Sequence, residues 1–132
     1  MKPSIALTFA SVLTILLATL HLADDIVRGF SPGGLTNLGA IAFLVVWLYA
    51  AVVLPERRSG LVIILIGSIL ASGIPVIHMT NKGIVGGRVG GTAGAFFFTW
   101  TLLAIGVSAI FSAVLSVRGL RSLRRAPPRI GA

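Results

Sequence analysis

The sequence predicts an all-α polytopic membrane protein: four transmembrane helices in an up-down-up-down bundle, with both termini cytoplasmic. Three observations carry this expectation. Apolar residues come in four long blocks, turn-forming residues separate the blocks, and cations gather at the block ends on one side. Hydrophobic residues fill 56% of the 132 positions and charged residues only 11%, whereas about a quarter of a soluble domain is charged. Water is therefore not the main solvent of this chain.

The apolar blocks run from Ser4 to Ala23, Leu38 to Leu54, Leu61 to Met79 and Thr92 to Val117. They predict spans at about 4–25, 37–54, 60–80 and 92–118, each near the ~20 residues that cross ~30 Å of hydrocarbon. Residues 1–118 then form one transmembrane domain and 119–132 a basic cytoplasmic tail. Helices are required because backbone in lipid must satisfy its own hydrogen bonds. Pro32-Gly33-Gly34 and Pro55 stand where helices must stop, and Pro127-Pro128 ends any helical continuation of the tail. Short connections make consecutive helices antiparallel neighbours. The first block is expected to be an uncleaved anchor, since a cut after Ala23 would put His21 where a signal sequence needs a small residue.

The net charge of +8 is first a statement about orientation. Lys2, Arg57, Arg58, Arg118, Arg121, Arg124, Arg125 and Arg129 fall on one side, against Arg28, Lys82 and Arg88 on the other. By the positive-inside rule the termini are cytoplasmic, in the cell (inner) membrane. Arg118, Arg121, Arg124 and Arg125 make a juxtamembrane cluster that anionic lipid headgroups would attract at ~1 kcal/mol per residue. The tail has no interleaved aromatic and no recognition motif, so nucleic acid is not expected. The absence of cysteine removes thiolate metal sites and thiol nucleophiles and leaves the redox compartment open.

Helices meet in lipid through small and weakly polar residues. Ala104, Ser108, Ser112 and Ser116 recur once per turn on the fourth span; Gly67 and Ala71, flanked by Ser68 and Ser72, do so on the third. The first span carries Ser4, Thr8, Ser11, Thr14 and Ala18 at steps of four and three. These stripes are expected to be packing faces, with a hydroxyl-lined transport path as the alternative. Trp47, Tyr49 and Trp100 lie about two turns inside their helix ends, where they pack or contact a ligand, and Phe96, Phe97 and Phe98 read as scaffold near the outer boundary.

Continued at the same steps, the first stripe reaches His21, Asp25 and Arg28. His21 and Asp25 are four apart, as are Asp24 and Arg28, so each pair can touch on a helix. One reading is a solvated helix end in which these groups neutralise one another. His78 ends the third span, which runs parallel to the first, so both histidines arrive at the same outer depth. Pro75, three residues earlier, is expected to kink that helix. A possible repeat links the two ends: His21, Ile26-Val27, Gly29, Gly33-Gly34, Thr36 and Gly39-Ala40 echo His78, Ile84-Val85, Gly87, Gly90-Gly91, Thr92 and Gly94-Ala95.

His21, Asp24, Asp25, Arg28 and His78 therefore form a candidate ligand, ion or pH-sensing site. Two histidines facing one another across a four-helix bundle can also hold haem axially, and with Asp25 they can hold a divalent metal. No phosphate-binding loop, metalloprotease motif or nucleophile elbow occurs, which points away from an enzyme. In size and span number the chain resembles the small multidrug resistance transporters. That family has a glutamate in the middle of its first span, where Thr14, Ile15 and Leu16 stand here. The expected function is a non-enzymatic membrane protein, a homo-oligomer or a subunit of a larger complex, with the polar site at the outer end of helices 1 and 3. Alternatives are a bis-histidine haem- or metal-binding redox protein, or a small proton-coupled transporter using Asp25 and His21.

Overall fold

Helix α1 spans Pro3–Val27, with proline in the first turn, where its missing N–H costs nothing. A 3-10 turn at Gly34–Asn37 leads directly into α2, Leu38–Val53; α3 spans Arg58–Met79 and α4 spans Ala95–Arg125. This is a computed structural model, describing residues 2–31, 33–79 and 92–125. Among the described residues there is no strand. Among these residues four segments are long and apolar enough to cross a membrane: α1, α2 with its leading turn, α3 and α4. The second glycine-rich loop with Lys82 and Arg88, most of the second half of the possible repeat, and Pro127, Pro128 and Arg129 lie outside the described residues.

The predicted ends hold to within three residues except at one place. Helix α4 continues without a break to Arg125, so residues 119–125 of the expected tail are helical. The reason is packing: Gly119 lets α4 approach Leu61 of α3, where an added Cβ would sit 2.9 Å from the leucine Cδ2. Helix α3 runs on through Pro75 to Met79.

Helix α4 packs along both α1 and α3, while α2 packs against the same two from the other side. The seam between α1 and α4 is polar and antiparallel. Ser11 Oγ and Ser112 Oγ are 2.8 Å apart, and one turn on the Thr14 hydroxyl donates toward Ser108 Oγ at 3.0 Å. Ser108 in turn donates to the Ala104 carbonyl at 2.7 Å. The predicted stripes thus face each other, and these hydroxyls are consumed in helix packing, which favours the packing reading over a transport path. On the opposite flank the Thr8 hydroxyl donates to the Ala51 carbonyl at 2.9 Å.

Between α2 and α3 the contact is steric. Trp47, 1% exposed, lays its indole over Gly67, while Tyr49 and Trp100 point outward at 55% and 58% exposure. A Cβ at Gly67 would lie 2.5 Å from Trp47 Cδ2, too close for any side chain without moving the helices. Gly67→Ala is expected to lower stability by ~1–3 kcal/mol, the usual cost of overpacking, seen as a lower Tm of detergent-solubilised protein. In a Trp47→Leu background the loss should shrink; equal losses in both backgrounds would show that the indole does not set this contact.

Candidate functional site

The site is built where α1 and α3 end. Gly29 adopts a left-handed φ of 71°, and its N–H donates to the Ile26 carbonyl at 3.1 Å while the Phe30 N–H donates to the Asp25 carbonyl at 2.8 Å. This is a Schellman closure, for which glycine carries no Cβ penalty. It holds the last turn of α1, and with it the side chains of Asp24 and Asp25. On α3, the Pro75 ring nests against α4 at Gly106, where an added Cβ would be 3.1 Å from the proline Cγ. That close approach brings His78, one turn later, toward α1.

Two of the expected residues separate from the other three. The Arg28 Nε–H donates to Asp24 Oδ2 at 2.7 Å, and its Nη1–H to the Thr92 hydroxyl at 3.3 Å. The guanidinium also lies 5.8 Å from the Phe98 ring centre, a cation–π distance. It lies directly against Gly94, so a side chain there would require the guanidinium to move. Asp24 and Arg28 therefore form a clamp between the end of α1 and the start of α4.

His21, Asp25 and His78 converge. His21 Nε2 lies 3.1 Å from His78 Nε2, and Asp25 Oδ2 lies 3.5 Å and 3.7 Å from the same two atoms. His21 is 3% exposed; Asp25 and His78 are partly buried. The imidazoles meet edge to face, centroids 4.8 Å apart at 79°. Phe98, 2% exposed, closes the group on the α4 side, its ring 5.2 Å from His21 and 5.3 Å from His78. On the other side lies a cavity of about 350 Å³ between α1, α2 and α3. Its walls are apolar, with Leu22, Phe43, Leu44, Trp47 and Ile74, and the three converging residues supply the polar part.

Two polar atoms of this group, His21 Nδ1 and Asp25 Oδ1, are buried with no partner among the described residues. An unpaired buried polar atom is costly, more so on a carboxylate. Chemically, the arrangement can share protons among three atoms or hold one small ion. It is not arranged for haem. Axial ligation places two iron–nitrogen bonds of ~2 Å end to end through a planar ring, whereas these nitrogens are in direct contact at 3.1 Å. A porphyrin would have to drive the imidazoles apart and displace Phe98.

Arg118, Arg121, Arg124 and Arg125 are all exposed on the last turns of α4. Sequence reasoning took Phe98 for scaffold, yet it touches both histidines and Arg28. A partial signal was present: Phe98 shares its helical phase with Leu102, Ile105 and Ala109, all buried, as Phe97 does with Thr101 and Ser108. Thr92 and Gly94 had no such signal beyond their place in the repeat.

Phe98→Ala is expected to destabilise the protein by ~3–5 kcal/mol, as for a buried aromatic. Phe96→Ala, at a position 80% exposed, should change stability by less than about 0.5 kcal/mol; comparable losses in thermal unfolding would contradict the assignment of Phe98 to the site. In comparison with known proteins, the chain matches no protein-family model, no curated protein and no solved structure.

Proposed function

We propose that this is a small, non-enzymatic integral membrane protein that binds a small cation at His21, Asp25 and His78. The observation that supports it is the convergence of two imidazole nitrogens and one carboxylate oxygen within 3.7 Å of one another. In this reading the four helices cross the inner membrane up-down-up-down, with both termini cytoplasmic, as the distribution of cations predicts. At 25 residues, α1 is ~37 Å long and exceeds the ~30 Å hydrocarbon core. The site then sits at the outer boundary, reachable from the outer surface and from lipid through the cavity. The exposed arginines of α4 contact anionic headgroups on the opposite side.

The chain acts as a homo-oligomer or within a larger membrane complex. What motivates this is that α2 buries only Trp47, Ala50 and Ala51, which leaves Ile41, Val45, Leu48 and Val52 along one stripe for lipid or for a further helix. A transporter has less support, because the hydroxyls at the α1–α4 seam close on one another.

The native chain has no cysteine, so single cysteines can be placed without background. Cysteines replacing Ser59 and Ser122 should be labelled from the cytoplasmic side and one replacing Leu35 from the outside; a Val45→Cys variant should crosslink between copies. Labelling of Leu35→Cys from the cytoplasm would overturn the orientation, and a monomer throughout would remove the oligomer.

The site itself is tested by thermal unfolding with added Na⁺, Ca²⁺ or Zn²⁺, or on acidification from about pH 7.5 to about pH 5.5. At least one condition should shift the wild-type midpoint by several degrees, and His78→Ala should abolish the shift. A wild-type protein indifferent to all of them would refute the cation site.

A further inference from the structure

The three converging atoms form a triangle with sides of 3.1, 3.5 and 3.7 Å. A single point lies about 2.0 Å from all three corners, inside the ranges of ~2.0–2.1 Å for zinc–imidazole and ~2.0–2.2 Å for zinc–carboxylate bonds. The spacing also selects a geometry. Bonds of ~2.05 Å separate neighbouring donors by ~3.3 Å in a tetrahedron and ~2.9 Å in an octahedron. The three observed sides, 3.1, 3.5 and 3.7 Å, lie above the octahedral value and slightly wider on average than the tetrahedral one, so a small contraction brings them to it.

Donor chemistry narrows the ion further. Calcium and magnesium take oxygen ligands, whereas two imidazoles and one carboxylate suit a first-row transition metal, and the absence of cysteine excludes thiolate ligation. Charge points the same way. Arg28 is engaged by Asp24, Thr92 and the Phe98 ring, while Asp25 Oδ2 has the two imidazoles at 3.5 and 3.7 Å, which carry a balancing charge only when protonated, and Asp25 Oδ1 has no partner among the described residues. A carboxylate that is largely withdrawn from water needs a counter-charge.

We propose that His21 Nε2, His78 Nε2 and Asp25 Oδ2 bind one divalent transition-metal ion of the zinc type, tetrahedrally, with the fourth position open to the apolar cavity. This rests on the cation-site reading above and names its ion. Phe98 blocks the α4 side, so a fourth donor, water or a small polar head group, enters from the cavity that all three ligands line. A contraction of the triangle by a few tenths of an ångström lifts the ion out of the ligand plane toward that donor.

The test is Co²⁺ titration of the chelator-treated, full-length protein in detergent. A visible d–d spectrum of tetrahedral intensity should saturate at one Co²⁺ per chain and be erased by Zn²⁺, and X-ray absorption of the Zn²⁺ form should show only N/O neighbours near ~2.0 Å. His78→Ala and Asp25→Asn should each weaken Co²⁺ binding at least tenfold, while Asp24→Asn, which leaves all three ligands in place, should not. Helical circular dichroism and a monodisperse elution profile identify variants that fold. No cobalt spectrum in the wild type would overturn the metal assignment, as would binding unchanged in folded His78→Ala and Asp25→Asn. If the wild type still responds to Na⁺, Ca²⁺ or protons while showing no cobalt complex, the metal fails and the cation site stands.

Discussion

The antiparallel seam between α1 and α4 sets the register on which the rest of the bundle depends. Lipid offers little hydrophobic reward for bringing two helices together, so their contact must come from close approach and from hydrogen bonds between side chains. Ser11 with Ser112, and Thr14 with Ser108, provide both. Once Thr14 is held, His21 follows two turns later on the same face, and the first turn of α4 meets the last turns of α1. Helix α3 then lies along α4, and α2 closes the remaining side through Trp47 and Gly67.

Two kinds of information in the sequence met different fates. Relations set by helical spacing and helix direction were legible: the stripe from Ser4 to Arg28 and the Asp24–Arg28 pair within α1, and the shared depth of His21 and His78 on two parallel helices. Side-to-side contacts between helices were less so. Nothing local says that Gly67 is a notch for Trp47, or that Gly94 makes room for Arg28, because a glycine without Cβ looks alike whether it faces lipid, a turn or a neighbour. The separation of Asp24 from Asp25 was half visible. Adjacent residues project about 100° apart on a helix, so they had to face different surroundings, but which one joined the histidines depended on where α3 lay.

The aromatic residues show the same division. Trp47, Tyr49 and Trp100 sit at similar depths in their helices, yet only Trp47 is buried. Depth is a property of sequence position, whereas burial depends on which neighbours the fold supplies. Three consecutive phenylalanines look equivalent in sequence, and of them only Phe98 is buried; helical phase sets Phe96 apart, while Phe97 shares its phase with buried Thr101 and Ser108 and is nonetheless 43% exposed. The place of Phe98 between two imidazoles and a guanidinium makes a hydrophobic residue the common wall of a charged clamp and a polar triad.

Asp25 belongs to two systems at once. Its carboxylate faces the histidines, and its carbonyl accepts the amides of Phe30 and Ser31 that close helix α1. Main-chain closure and side-chain placement at this residue therefore open and shut together. Fraying of one turn would release the carboxylate, and anything that holds the carboxylate would protect that turn. Were the triad to hold an ion as proposed, exchange of the Phe30 and Ser31 amide hydrogens with solvent would slow, although neither residue would contribute a ligand atom.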